Sequence, residues 1–551
     1  MKSSSIAAIF IFVLISNTSA FAPRKIVRVH NQSAITPTSS FGKTQALSTA
    51  IKKQRISMAS EQKLGSLNSA SSSEKSSLVR ILLNGGDNML GRAVQLTCQT
   101  QSHGEEKIRD SCPAAYYLRS SLEHPRQRGE EIGPEKTEGL EGIRELNRKG
   151  HYLWGDYLHL PISPSPDLRL LNLETAVTRS ISNSDVPVMK GIRYHFHVDN
   201  FDGILGAVAE EKHGGNKTIP TVITLANNHI LDFGHTAFNT ETLPELIERY
   251  NSPKARNEHP ISFIGAGSND ARASKPVHLH VSSGGASGDT QVYIFAAGSV
   301  DSGIPLSWAA TPSCAGVFVL PPIVGHESID ECIQIMHHWM AHHLKKKSTT
   351  PPLLILSIHW GPNWAYRSYG YGDEQDHDLQ VYRRMLAHRL IDECGFDLIH
   401  GHSSHHIRGL ELHNGKLIIY GAGDLINDYE GFSNPGDEAY VTLGALFLVD
   451  LCPTTGHLKR LQLLPTFMNR LRLTLWHEKN NPYRWDPPSK SMQLPACQDS
   501  FDEAATYFCR FINALSLKDA DPGSALLLKV LKESPSIPSG SMVLAWEQTH
   551  P

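Results

Sequence analysis

This 551-residue chain has no long apolar run in its body, no Cys-x-x-Cys among its eight cysteines and no Gly-x-x-x-x-Gly-Lys-Ser/Thr loop. The first absence argues against a transmembrane anchor in the processed protein, because a spanning helix needs about 18 to 20 apolar residues in succession. The second argues against a zinc ribbon or a thiol redox pair. The scatter of Cys98, Cys112, Cys314, Cys332, Cys394, Cys452, Cys497 and Cys509 also argues against a dense disulfide framework. The third removes the usual phosphate cradle, and with it the case for a nucleotide-driven ligase. Charge of one sign is missing as well. Fifty-two basic against 55 acidic residues leave a net charge of −3, so there is no global basic field to hold nucleic acid or an anionic membrane.

Acidic residues are also absent locally. From Arg24 to Ser60 there is no Asp or Glu, while Arg24, Lys25, Arg28, Lys43, Lys52, Lys53 and Arg55 stand among many Ser and Thr. Ahead of this stretch, Lys2 precedes an apolar segment from Ile6 to Ile15, followed by the small residues Thr18-Ser19-Ala20. That pattern reads as a signal peptide over 1–20, then a transit peptide and linker over 21–77. The join at Ser19-Ala20-Phe21-Ala22-Pro23 resembles the bipartite presequence of plastids of secondary endosymbiotic origin. Secretion is the alternative, and only there would the sequons at Asn31 and Asn216 be used.

What the chain does have is 40% hydrophobic residues, enough for a substantial core, and 29 histidines. Six short apolar runs each end in polar residues suited to metal or phosphate. They are Leu78–Asn84 before Asp87, Leu168–Leu171 before Asn172-Leu173-Glu174, and Thr221–Ala226 before Asn227-Asn228-His229. The others are Leu353–Ile358 before His359, Phe396–Ile399 before His400-Gly401-His402, and Lys416–Ile419 before Tyr420-Gly421-Ala422-Gly423-Asp424. Such runs predict buried strands, and open α/β sheets collect their sites where strands end. One domain is expected over 78–476, with a C-terminal extension over 477–551 carrying helices at 501–516 and 523–532. Further helices are expected at Phe238–Tyr250, Glu331–Lys345 and Leu379–Cys394, and polar surface insertions at 121–150 and 280–290.

Taken one at a time, the endings are ambiguous. Gly85-Gly86-Asp87 reads first as a structural turn, and Glu174 is equally a cap or a metal ligand whose partner Asn172 lies on the same side of the strand. Asn227-Asn228-His229-Ile230-Leu231-Asp232 is sharper: an amide oxygen and an imidazole suit a divalent metal, and Asp232 can fix the His229 tautomer. Gly401-His402-Ser403-Ser404-His405-His406 offers imidazoles three apart. His359 alone means little. Trp360, Trp364, Tyr366 and Tyr369 suit a substrate groove or the core.

In order, Gly-Asp-x-x-x-Gly-Arg, Asn-Leu-Glu, Ala-Asn-Asn-His-x-x-Asp-x-Gly, His-Trp-Gly, Gly-His-Ser-x-His and Tyr-Gly-x-Gly-Asp resemble the CapA/PgsA capsule-synthesis family, linked to poly-gamma-glutamate production. The resemblance spans about 78–476. It implies an α/β fold of the metallo-dependent phosphatase kind, a two-sheet sandwich flanked by helices. It implies one or two divalent ions (Mn, Fe or Zn) held by Asp87, Glu174, Asn228, His359, His402 and His405, with Glu174 bridging. His229 matches the catalytic histidine, with Asp232 behind it and Arg92 placed to steady an anionic oxygen. Two departures stand out: Met89 occupies the place of a ligand histidine, and Asp424 replaces an asparagine and can serve as an added ligand. The resemblance implies a metal-dependent hydrolase of a phosphoester or amide-linked, polyglutamate-like polymer. The alternative is a non-catalytic polymer-binding accessory protein of polymer synthesis.

Overall fold

The computed structural model of the chain describes residues 78–547 except 102–112, 128–138, 180, 182–185, 188–189, 216, 253, 255–259, 282–288, 345–350, 364–372, 431–442, 478–500, 522, 532–533, 535–536 and 538–540. The expected presequence, Asn31, Asn216, Trp364, Tyr366 and Tyr369 lie outside the described residues.

Each of the six apolar runs forms a strand. A strand covered on both faces must be apolar throughout, because successive side chains point to opposite sides. Val79–Asn88 shows this directly: Ile81 and Leu83 enter one core while Leu82 enters another. Four strands, Val79–Asn88, Leu168–Leu173, Thr221–Thr224 and Ile261–Ile264, run parallel in one half of a ten-stranded sheet. An antiparallel ribbon continues that sheet from Val79–Asn88 through Leu443–Leu451, Leu458–Asn469 and Val543–Glu547 to Lys529–Leu531. In the second, seven-stranded sheet, Thr290–Ser299, Leu353–His359, Leu398–His402 and Lys416–Ile419 are parallel, with Val277–Val281 and Leu410–His413 added antiparallel.

The two sheets share a dry interface of Ile81, Leu83, Leu168, Leu170 and Val222 with Ile294, Leu353, Ile355, Leu398 and Leu417. Outside the first sheet, Leu171, Ile223 and Phe263 pack with Phe201, Ile204, Leu205 and Val208 of the helix Phe201–Glu210. Outside the second, Phe295, Leu354, Leu356 and Ile399 pack with Ile329, Cys332, Ile333 and Met336 of the helix His326–His343, and with Leu386 and Leu390. The layers are therefore α/β/β/α. At one end the sheets close on each other, with His400 Nε2 2.8 Å from the Gly85 carbonyl. Gly86 permits this approach, since a Cβ there would fall 2.9 Å from the His402 Cβ and 2.8 Å from the Gly423 carbonyl.

The helices expected near Phe238, Glu331 and Leu379 are present within Gly234–Asn251, His326–His343 and Asp373–Cys394. Three expectations need correction. The stretch 121–150 carries helices at Ala114–Gln127 and Leu140–Asn147, and Ile143 and Asn147, one turn apart, are buried. The helix expected at 523–532 is replaced by the short strand Lys529–Leu531, ahead of which buried Leu526 and Leu528 alternate with exposed Leu527. The described part of 477–551 is built into the domain instead of trailing from it. Helix Phe501–Asp519 lends Phe508, Ile512 and Leu515 to the intersheet core, and Val543–Glu547 pairs with Leu458–Asn469. Among the described residues no helix is long and apolar enough to cross a membrane.

Phe508→Ala is therefore expected to cost about 3–5 kcal/mol of stability, the usual range for a buried phenylalanine. Urea unfolding followed by circular dichroism measures this. A cost near zero would mean that the C-terminal helix does not belong to the core.

Candidate metal centre

Strand register brings the polar endings together. Asp87 lies beside Asn172 and Asp424 in the first sheet, and His359 lies beside His402 in the second. The Asp87 carboxylate spans both sheets: Oδ1 accepts from Asn172 Nδ2 at 2.8 Å, and Oδ2 accepts from the Ser403 backbone N–H at 2.9 Å. His359 Nδ1 and His402 Nδ1 stand 3.6 and 3.4 Å from Oδ1, and 2.8 Å from each other. His405, in a left-handed conformation with φ of 57°, places Nδ1 3.8 Å from Asp87 Oδ2. Two ligand groups result, Asp87 with His359 and His402, and Asp87 with Glu174 and His405, each with its donor atoms within 4.8 Å of one another. Asp87 belongs to both groups, and Glu174, given the bridging place by the resemblance, also lies 3.7 Å from His359 Nε2.

The donors fit a metal because several have nothing else to bind. Both Glu174 carboxylate oxygens, His359 Nε2 and Asn228 Oδ1 are buried with no hydrogen-bond partner among the described residues, and such orphans are rare and costly in a folded chain. Burial, then the charges of Asp87 and Asp424, push the Glu174 pKa well above 4.5. Burial acts on Asp87 in the same direction, but hydrogen bonding to His359 and His402 outweighs it and holds Asp87 well below the ordinary carboxylate range. Asn227 is spent on structure: its side chain binds Asn172 and Leu173 and caps the N–H groups of His229 and Ile230. Its neighbour Asn228 keeps its oxygen unpartnered.

Outer contacts hold the ligands. Ser357 Oγ bridges His400 Nδ1 and His402 Nε2 at 3.1 and 3.0 Å. Asp424, expected as an added ligand, instead lies 2.9 Å from His405 Nδ1 and accepts from Asn427. Burial raises its pKa to about 6. Met89 is buried, with the Tyr429 hydroxyl 3.6 Å from its sulfur.

On the other side of Glu174 stands His229, with Nε2 3.7 Å from Oε1. Its Nδ1 is 2.7 Å from Asp232 Oδ2, which also accepts the Tyr194 N–H. Burial depresses the His229 pKa to about 3, while Asp232, despite its own burial, is kept below 3.8 chiefly by His229 and Lys190. A neutral ring that donates from Nδ1 to Asp232 would present Nε2 to Glu174 as an acceptor. Lys190 contacts Asp232, the Asn228 carbonyl and His229 Nδ1. Sequence reading missed it, because an isolated lysine in a loop carries no pattern. Arg92, expected to face an anion, is instead paired through two nitrogens with Asp428 and lies over the rings of Tyr117 and Tyr194 at 3.8 and 4.6 Å. Trp360 is buried against Tyr420 and serves as core.

A two-sheet sandwich with carboxylates, an amide and imidazoles converging from its strand ends defines an α/β protein with a candidate metal centre. The family described as bacterial capsule synthesis protein PGA_cap matches residues 81–429, and the chain belongs to that family. It is 31% identical over 398 residues to the probable polyglutamine synthesis accessory protein of Mycobacterium tuberculosis, covering 72% of this chain and 86% of that one. It is 27% identical to the PGA biosynthesis protein CapA of Bacillus subtilis over 40% of this chain and 46% of that protein. A solved phosphatase from Mycoplasma pneumoniae covers 71% of this chain and 94% of its own at 10% identity, but its TM-score of 0.28 is too low to bear on fold or function.

The raised Glu174 pKa sets a sign that can be measured. Above its ordinary value of 4.5, the unfolded chain releases a proton that the folded, metal-free chain retains, so this group costs stability as pH rises. Without metal, Glu174→Gln is expected to be more stable than wild type near pH ~7, the difference vanishing below pH ~4. With manganese added the order should reverse, because only wild type gains binding energy. Thermal unfolding with chelator and with manganese checks both signs.

Proposed function

We propose that the chain is a metal-dependent hydrolase of a phosphoester or an amide-linked, poly-gamma-glutamate-like polymer. The observation that carries this reading is the pair of buried, unpartnered Glu174 oxygens, one of them 3.7 Å from Nε2 of His229, whose Nδ1 lies against the Asp232 carboxylate. Asp87, His359 and His402 would hold one ion, and Asp87, Glu174 and His405 a second, with Asn228 as a further oxygen donor. Divalent ions bound there supply Lewis acidity and lower the pKa of water.

The chain's own residues do the rest. Asp232 keeps the His229 proton on Nδ1, so Nε2 is free to accept a proton and return it to the leaving oxygen or nitrogen. Lys190 pairs with Asp232 and contacts His229 Nδ1, so it holds both side chains in place beside the reacting centre. Arg92 acts through Tyr194, whose ring packs edge-on against His229 with centroids 4.5 Å apart. The names of the two relatives, one tied to polyglutamine synthesis and the other to PGA biosynthesis, support a polymer of this kind as what the site handles.

A second reading, a polymer-binding accessory protein without turnover, is favoured by one observation: buried Met89 in place of a ligand histidine. The two readings separate on His229→Ala assayed with phosphodiesters and gamma-glutamyl polymers. If the site is catalytic, kcat is expected to fall by about 10²–10⁴ with metal content unchanged. A metal-loaded wild type that binds polymer but turns over neither substrate would establish the accessory reading.

A further inference from the structure

Apart from the strand-end centre, a second group of ligand-type side chains gathers at the edge of the seven-stranded sheet. His388, near the end of helix Asp373–Arg389, and His413, the last residue of strand Leu410–His413, stack face to face with ring centroids 3.9 Å apart and planes within 8°. Glu411, two residues before His413 and so on the same side of the strand, is fully buried with Oε1 2.8 Å from His388 Nε2. Donor atoms of these three residues lie within 4.8 Å of one another.

Two more carboxylates border the group. Asp392 Oδ2 is 2.9 Å from His413 Nε2, and Asp521 Oδ2 is 3.8 Å from His388 Nδ1. Asp392 sits on the widened helical turn Leu390–Cys394, and π-type turns of this kind recur at functional sites. The Glu411 carboxylate is held in place by the Tyr420 hydroxyl at 2.6 Å and by Ser524 Oγ. Three carboxylates thus meet two imidazoles, and the guanidinium of Arg384 lies 3.0 Å from Asp521 Oδ1.

We propose that His388, Glu411 and His413, completed by Asp392 or Asp521, form a structural site for a borderline divalent ion of the zinc class. Two imidazoles with carboxylate oxygens are a donor set that zinc accepts in closed, four-coordinate sites. The ion takes the place of the protons that bridge imidazole and carboxylate, and balances the excess of carboxylates. It ties the helix end, the edge strand and the C-terminal turn at Asp521 to one another. It also steadies Tyr420, whose carbonyl accepts from Trp360 Nε1 at 2.9 Å, next to His359 of the main centre.

The test uses the full chain, stripped with chelator and dialysed against zinc alone, with metal counted by mass spectrometry. His388→Gln and His413→Gln should each bind about one zinc fewer than wild type, with circular dichroism confirming that both fold. Equal zinc in wild type and both variants would overturn the proposal. A readout on wild type alone guards against misfolding: zinc should slow diethyl pyrocarbonate modification of His388 and His413, mapped by peptide mass spectrometry. Modification unchanged by zinc at both residues would overturn the proposal independently. Neither readout depends on whether the main centre is catalytic.

Discussion

A single buried charge, the Asp87 carboxylate, organises this sheet edge. Placing an ionised carboxylate out of water costs several kcal/mol unless donors and opposite charge surround it. Asp87 receives one donor from each sheet, Asn172 from the first and the Ser403 backbone N–H from beyond the end of the second. That arrangement requires the sheets to close until the His400 side chain reaches the Gly85 carbonyl, which Gly86 permits. The closeness that packs the sandwich is therefore what brings the histidines, Asp87 and Glu174 near enough to one another that they could hold a cation.

Next to these residues the electrostatics change character. Lys190, Asp232 and His229 form a connected group, with His229 Nδ1 against Asp232 and Nε2 toward Glu174. Arg92 belongs to a separate layer. It pairs with Asp428 and lies against the rings of Tyr117 and Tyr194, and the same Tyr194 ring packs against His229. An arginine that follows Gly-Asp in sequence invites a reading as an anion binder, but burial favours pairing it with the nearest carboxylate.

The strands were legible because their signals are local. An apolar run of four to eight residues with a polar ending predicts both the element and the side of the sheet where chemistry collects, and Asp87, Glu174, His359, His402 and His405 did meet at one edge. Illegible were the residues whose roles arise only by contact across long separations. Lys190 reaches His229 from a loop without pattern, and Asp428 meets Arg92 from 336 residues away. The C-terminal strand Val543–Glu547 was missed for the same reason, since its partner lies in a strand far upstream.

The sequence by itself determined the α/β layering, the six strands that carry the site and the family to which the chain belongs, because periodicity and motif order survive without coordinates. Tertiary structure alone decided how the donors divide their work. Asp424 became the partner of His405, Asn227 a cap and Arg92 a brace, while Asp87 came to sit between two ligand groups. The physical reason is that a side chain's role follows from which other buried groups need its charge or hydrogen bond. That need is set by distances between strands and loops far apart in the chain.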